Sequence, residues 1–413
     1  MLRFLLVGGN FGNKGAQSML FTCINEFSKR FPESECYFCT SETLKDYKNY
    51  RFNYVHIGNH SLEFERGDYR FLPKMILKGI VRKISGNGNR ILEELELGRI
   101  ISSIDMIVDI SGFALSSDFG TGIPGTYFSW FEIACRRGIP LVLMPQSFGP
   151  FDYRENQEKI DHLANKYLNY ATLVFAREEK SYKSVKDRFD PRGLRYCPDS
   201  VLVGEFPDSP DKVFKESRMN IPDLDGEGWV GVIPNKRTTE KGIGWEAVLN
   251  RYIAAIRHLK KIEKRVCVLT HSAEDIDICR SLEKALEDGV QDIRFIYNDL
   301  SCFEYDALCR KFDFIVSSRY HSIIHAYRHT VPVIALAWAE KYRALATLFG
   351  QEKYVLDITC EREDVDDEIR SMIDDMTECN SCNKENVSES LVNIRRKYNC
   401  FAEMEALIES SLK

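Results

Sequence analysis

The sequence has little that would send the chain into a membrane, out of the cell or onto nucleic acid. Its opening, MLRFLLVGGN, is interrupted by Arg3 and stopped by Gly8 and Gly9, an apolar run too short for a signal-peptide core or a bilayer span, so a cytoplasmic protein is expected. A basic excess is missing too. Lys plus Arg number 56 against 62 Asp plus Glu, a formal charge of −6, which excludes the global positive field of a nucleic-acid binder and leaves any cationic function local. No tract is low in complexity, and 44% hydrophobic with 29% charged residues excludes disorder. A disulfide framework is not expected either. The 13 cysteines are an odd number, and Cys23, Cys135, Cys267 and Cys279 sit in apolar stretches where a reduced thiol behaves as a small hydrophobe. The glycine-rich turn Gly8–Gly15 after the first apolar run has the spacing of neither a Gly-x-Gly-x-x-Gly fingerprint nor a P-loop, so it is a weak signal for nucleotide phosphates.

What is present is alternation. Short apolar runs are followed by longer helix-like segments, the pattern of a parallel sheet with crossover helices. Buried strands are predicted at Phe4–Val7, Cys36–Thr40, Met106–Ile110, Leu141–Met144 and Leu173–Ala176, and again at Trp229–Ile233, Val266–Thr270, Ile293–Ile296, Phe314–Ser317 and Val333–Ala337. Between the two sets lies Phe206–Gly228, rich in Pro, Asp and Gly, which reads as a linker. The expectation is α/β: two Rossmann-like domains, 1–205 and 229–388, facing across a cleft, with residues 389–413 as a helix packing back across them.

Such domains take ligands beyond the carboxyl ends of their strands, so chemistry is sought there. The first strand runs into Gly8-Gly9-Asn10-Phe11-Gly12-Asn13-Lys14-Gly15, where small residues and a helix N-terminus favour an anion, or simply make a tight turn. Small polar ends follow Met106–Ile110 (Ser111-Gly112) and Leu141–Met144 (Gln146-Ser147). Leu173–Ala176 delivers Arg177, an anion ligand or a partner for Glu178 or Glu179. The densest stretch is Ser317-Ser318-Arg319-Tyr320-His321. In extended geometry Arg319 and His321 point the same way, one a fixed forked cation and the other a group titrating near neutrality. After Val333–Ala337 come Glu340 and Lys341, so Arg177, Arg319, His321 and Lys341 are expected to converge on one anion.

Taken in order, Asn13-x-Gly15, Asp109-x-Ser111-Gly112, Gln146-Ser147-Phe148-Gly149-Pro150, Ala176-Arg177-Glu178-x-x-Ser181, Cys197-Pro198-Asp199 and Ser318-Arg319-Tyr320-His321 make the chain resemble the polysaccharide pyruvyl transferases, from the first strand to about Gly350. The resemblance implies a GT-B-like pair of domains, phosphoenolpyruvate as donor and a pyruvate ketal on a sugar as product. Carried over, the family's essential arginine, histidine and lysine fall on Arg177, His321 and Lys341, with Ser318 and Arg319 as further donor ligands. The N-terminal domain would face the acceptor, the C-terminal one the donor. Asn10, Asn13, Gly15, Ser111, Gln146 and Ser147 would then form acceptor or anion loops. Two departures fall in those loops: Ala16 stands where an acidic residue is common, and Ser111-Gly112-Phe113 where the family has three glycines.

Phosphoenolpyruvate carries a carboxylate and a phosphate, which fixed cations would hold, and its methylene carbon needs a proton; His321 is the candidate either for giving that proton or for taking the acceptor's, and no cofactor or metal is expected. Cys36-x-x-Cys39 and Cys379-x-x-Cys382 lie too far apart in sequence to favour a zinc reading. Residues 70–90 form a basic amphipathic pattern, Lys74, Lys78 and Arg82 opposite Leu72, Ile76, Ile80 and Ile84. It reads as a helix on its own domain, or as a peripheral contact with the inner face of the cell membrane, which a lipid-linked glycan acceptor would favour. The other functional classes left open are a GT-B glycosyltransferase using a nucleotide sugar and a non-catalytic glycan-assembly protein.

Overall fold

The computed structural model describes residues 1–44, 47–57, 61–66, 97–286, 293–297 and 300–411. It contains two compact units: Met1–Phe11, Ala16–Ser217 and Asn399–Lys413 in the first, Gly12–Gly15 and Arg218–Tyr398 in the second. The basic amphipathic pattern of residues 70–90 lies outside the described residues.

The first unit is built on seven strands: β1 (Arg3–Val7), β2 (Glu35–Thr40), β3 (Asn53–His56), β4 (Met106–Asp109), β5 (Leu141–Gln146), β6 (Leu173–Ala176) and β7 (Leu194–Tyr196). They lie in the order β3-β2-β1-β4-β5-β6-β7, every pair parallel. Continuous runs such as Leu5–Val7 and Leu141–Leu143 are fully buried because helices cover both faces of the sheet, and Trp130, Phe131 and Tyr167 pack into that core. Order reverses between β1 and β4, the switch point where a doubly wound sheet opens a crevice.

The second unit repeats the plan with β8 (Trp229–Ile233), β9 (Arg265–Leu269), β10 (Ile293–Ile296), β11 (Phe312–Ser317), β12 (Val333–Ala337) and β13 (Val355–Asp357). The order is β10-β9-β8-β11-β12-β13, again all parallel, with its switch between β8 and β11. Among the described residues no helix is long and apolar enough to cross a membrane.

Two segments depart from expectation. The expected linker at 206–228 begins later, because residues through Ser217 belong to the first unit. Phe214 packs on Tyr50 and Phe21, with ring centroids at 5.0 and 5.8 Å, and the Arg51 guanidinium donates to the carbonyls of Asp211 and Phe214. The expected final helix is two helices. Asn380–Lys397 belongs to the second unit and Cys400–Ser411 to the first, broken where Tyr398 turns extended and the Asn399 side chain accepts from the Ala402 amide. Asn383, a polar residue, is buried in the longer helix and bonded to Gln351 and Tyr354.

Candidate functional site

In the first unit the predicted residues gather at the carboxyl ends of β4, β5 and β6. The Asp109 carboxylate accepts from the amide and hydroxyl of Ser111, each at 3.0 Å, and from Gln146 Nε2 at 3.1 Å. Gln146 Oε1 in turn accepts from Tyr127 at 2.9 Å. Complete burial pushes Asp109 up to about 6, against the pull of those three donors. Gly8, at φ +82°, lets the chain close on this group, since a Cβ there would fall 2.1 Å from Ser111 Oγ.

Arg177 sits next door, only 3% exposed. Its Nε donates to Ser147 Oγ at 2.8 Å and Glu178 Oε1 at 3.1 Å, and Nη1 to Asp199 Oδ2 at 2.9 Å. Ser147 donates to Glu178, Ser181 donates to the other Glu178 oxygen, and Asp199 caps the short helix Ser200–Val203. Two carboxylates thus surround the guanidinium expected to meet an anion. Asn10 lies exposed in the turn after β1.

Asn13 and Gly15 fall in the stretch that clusters with the second unit. Asn13 bridges to Ser272, and its side chain accepts from the Gly15 amide at 2.8 Å. A Cβ on Gly15 would fall 2.2 Å from the His321 ring, so only glycine admits that approach.

β11 stops at Ser317, so Arg319 and His321 do not share one face of an extended segment, as the sequence suggests. Arg319 is the N-cap of helix Tyr320–Arg328 and His321 its second residue. Arg319 is 7% exposed, and its Nη2 donates to Glu274 Oε1 at 2.7 Å and to Asp275 Oδ1. Burial raises the Glu274 carboxyl, but Arg319 and Arg237 together outweigh that and leave it below its ordinary value. Asp275 is fixed from behind by the amides of Ser272 and Lys236. Ser318 Oγ bonds Tyr252, while its carbonyl accepts from Tyr342 at 2.7 Å and Asn235 at 2.9 Å. Lys341 opens helix Lys341–Leu348 and holds its ammonium 4.9 Å from the Trp338 ring centroid, 5.6 Å from Tyr320 and 5.9 Å from Tyr342. Ser318, Arg319, His321 and Lys341 are thereby gathered at one edge of one sheet.

Asn235, His271, Glu274 and Asp275 join this edge although the motif search does not single them out. The strand-end rule reaches them once it is applied to β8 and β9, whose ends read Pro234-Asn235 and Thr270-His271-Ser272. Chemically the edge offers an arginine whose charge is shared with two acids, a lysine over aromatic faces, two histidines and helix N-termini, a setting for an anion and a proton. Among the described residues no group of three or more His, Cys, Asp or Glu is placed to hold a metal ion.

No curated protein matches the chain in sequence. Among solved structures, the chain is similar in fold to Phytolacca americana UGT2 complexed with UDP-2fluoro-glucose and pterostilbene, at TM-score 0.56 and 12% identity over 99% of each chain. It is similar at TM-score 0.54 to UDP-GlcNAc 2-epimerase from Neisseria meningitidis bound to UDP-GlcNAc, 12% identical over 100% of each. The S. aureus MnaA–UDP co-structure gives the same score, 13% identical over 94% of this chain and 91% of that one. These likenesses show the GT-B fold of two Rossmann-like domains. The sequence profile of the polysaccharide pyruvyl transferases matches residues 13–340, a span that takes in the strand-end residues from Asn13 to His321 and stops one short of Lys341, and the chain belongs to that family.

Proposed function

We propose that the protein transfers the pyruvyl group of phosphoenolpyruvate to two hydroxyls of a sugar in a cell-surface or secreted polysaccharide precursor, releasing phosphate and leaving a ketal. The observation that carries this reading is the grouping of Ser318, Arg319, His321 and Lys341 at the carboxyl edge of the second sheet, in a chain of this family. A proton goes to the donor's methylene carbon, giving an oxocarbenium-like centre. One sugar hydroxyl adds there and loses its proton, the carbon–oxygen bond to phosphate breaks to leave a second oxocarbenium-like centre, and the other hydroxyl adds to it and passes its proton to the departing phosphate, closing the ketal.

In this reading Arg319 and Lys341 hold the donor's anionic groups, and Ser318 fixes the backbone between them. Lys341 offsets charge growing on the leaving phosphate. His321 gives the proton to carbon and regains one from the acceptor. Arg177, tied to Ser147, Glu178 and Asp199, contributes by fixing the ends of β5 and β6. Because fixed cations do the electrostatic work, turnover is expected to survive a chelator.

The test is phosphate release from phosphoenolpyruvate with and without glycan acceptors, lipid-linked ones included, with the product examined for the added ketal. Acceptor-dependent release supports the reading. Transfer of a sugar from a nucleotide donor, with no phosphoenolpyruvate turnover, would sink it.

A further inference from the structure

His271 follows β9 at the same edge of the second unit. Its side chain is 1% exposed, and among the described residues neither ring nitrogen has a hydrogen-bond partner. An unmade hydrogen bond on a buried polar group costs about 1–3 kcal/mol, so a fold that keeps such a ring unsatisfied calls for an explanation. The ring meets Tyr305 edge-on, centroids 5.1 Å apart, and the Tyr305 hydroxyl is turned away to Ser322. The charges acting on it are Arg319, Lys14, His321 and His325. Arg319 is partly offset by Glu274 and Asp275, and His325 by Asp306. Burial first, and those cations next, hold His271 well below its ordinary value, so it stands neutral at neutral pH.

We propose that His271 is a further ligand for the anion bound at this edge, and that it takes up one proton from solvent when the anion arrives. This rests on the proposed function, which makes the anion phosphoenolpyruvate; inorganic phosphate, the released product, carries the same chemistry. An unprotonated ring offers an anion one donor and one repelling lone pair. A dianion beside Arg319 and Lys14 opposes the cations' field and gives a charged ring the partner that burial denies it, and the protonated ring then donates from both nitrogens. Anion affinity therefore falls as pH rises, with a slope of up to one proton.

The experiment is nitrogen-15 NMR of the full chain labelled at its 8 histidines, followed against pH alone, with inorganic phosphate and with phosphoenolpyruvate. The His271 ring signals are identified by their loss in His271→Gln, or in His271→Asn should that variant fold better. Without anion, His271 is expected to stay neutral from pH 8 to 6. With either anion at saturation its titration is expected to move up into that range, and calorimetry in two buffers should give about one proton taken up, retained in His321→Gln and lost in His271→Gln. An His271 that titrates at its ordinary value without anion, or whose signals neither anion moves, overturns the proposal. If phosphate moves them and phosphoenolpyruvate does not, the His271 ligand stands and the donor assignment falls. If phosphoenolpyruvate binds and leaves His271 unmoved, the donor stands and this inference falls.

Discussion

Asp109 and Arg177 show how differently two buried charges weigh on stability. The Asp109 carboxyl is pushed from 3.8 up to about 6 in the fold. Below pH 4 both folded and unfolded states hold the proton and nothing is lost. Between 4 and 6 the folded state keeps a proton the unfolded chain has released, so stability falls as pH rises, and the whole penalty is present above 6. Asp109→Asn keeps the shape without the charge; it should stabilise the protein by on the order of 2 kcal/mol at pH 8 and change little at pH 3.5, read from urea unfolding at the two values. Arg177→Met acts in the opposite direction, because it strands Glu178 and Asp199 without their cation. A loss of about 3–5 kcal/mol is expected, and an unchanged melting temperature would contradict the ion-pair role. His321→Gln removes a titrating proton and keeps a hydrogen-bonding group. Turnover should drop by about a hundredfold or more while donor affinity changes modestly; lost affinity with turnover intact at saturation would make the ring an anion ligand instead. Sequence reading reaches these residues because strand ends are local features. It names the adjacent partner, Glu178 for Arg177, but does not pair the distant ones: Asp199 lies 22 residues beyond Arg177, and Asp275 lies 44 before Arg319, distances that only folding closes.

At the scale of elements, legibility follows the apolar run. Strands Leu173–Ala176, Trp229–Ile233, Ile293–Ile296 and Val333–Ala337 stand where their apolar runs place them. The three strands without a signal, β3, β7 and β13, are all at sheet edges and only three or four residues long, with exposed or half-exposed positions in place of a continuous apolar run. The end of the chain was illegible for another reason. Helical periodicity continues through Tyr398, and what separates the last two helices is tertiary: Phe401 faces Phe27 at 6.1 Å, Glu405 pairs with Arg30, and Gly204 leaves room for the Phe401 ring, which a Cβ would meet at 2.5 Å. The final helix is thus part of the first unit's core. Phe401→Ala should cost that unit about 3–5 kcal/mol, measured as a lower urea midpoint with secondary structure retained in native buffer. A loss under about 1 kcal/mol would show the helix to be a surface addition.

For the molecule as a whole, sheet order says where a ligand goes and residue chemistry says which one. Solved structures of this fold, 12–13% identical to the chain, hold UDP or a UDP-sugar. Fold alone therefore leaves the donor undecided between two anions. In the reading proposed above, Arg319, Lys341 and the helix N-terminus at Tyr320 hold a small molecule with two anionic groups. A ligand that binds only the folded state stabilises it in proportion to the logarithm of its saturation, about 2.7 kcal/mol at a hundred times the dissociation constant. For a unit of this size that amounts to roughly 5–10 °C. Phosphoenolpyruvate should give such a shift in the second unit's melting, shrinking as sodium chloride is raised because fixed cations hold the ligand. UDP-glucose and UDP-N-acetylglucosamine at equal concentration should give almost none. A shift from either nucleotide sugar, with none from phosphoenolpyruvate, would mean that this edge reads a pyrophosphate after all, and that Arg319 and Lys341 serve a glycosyl donor.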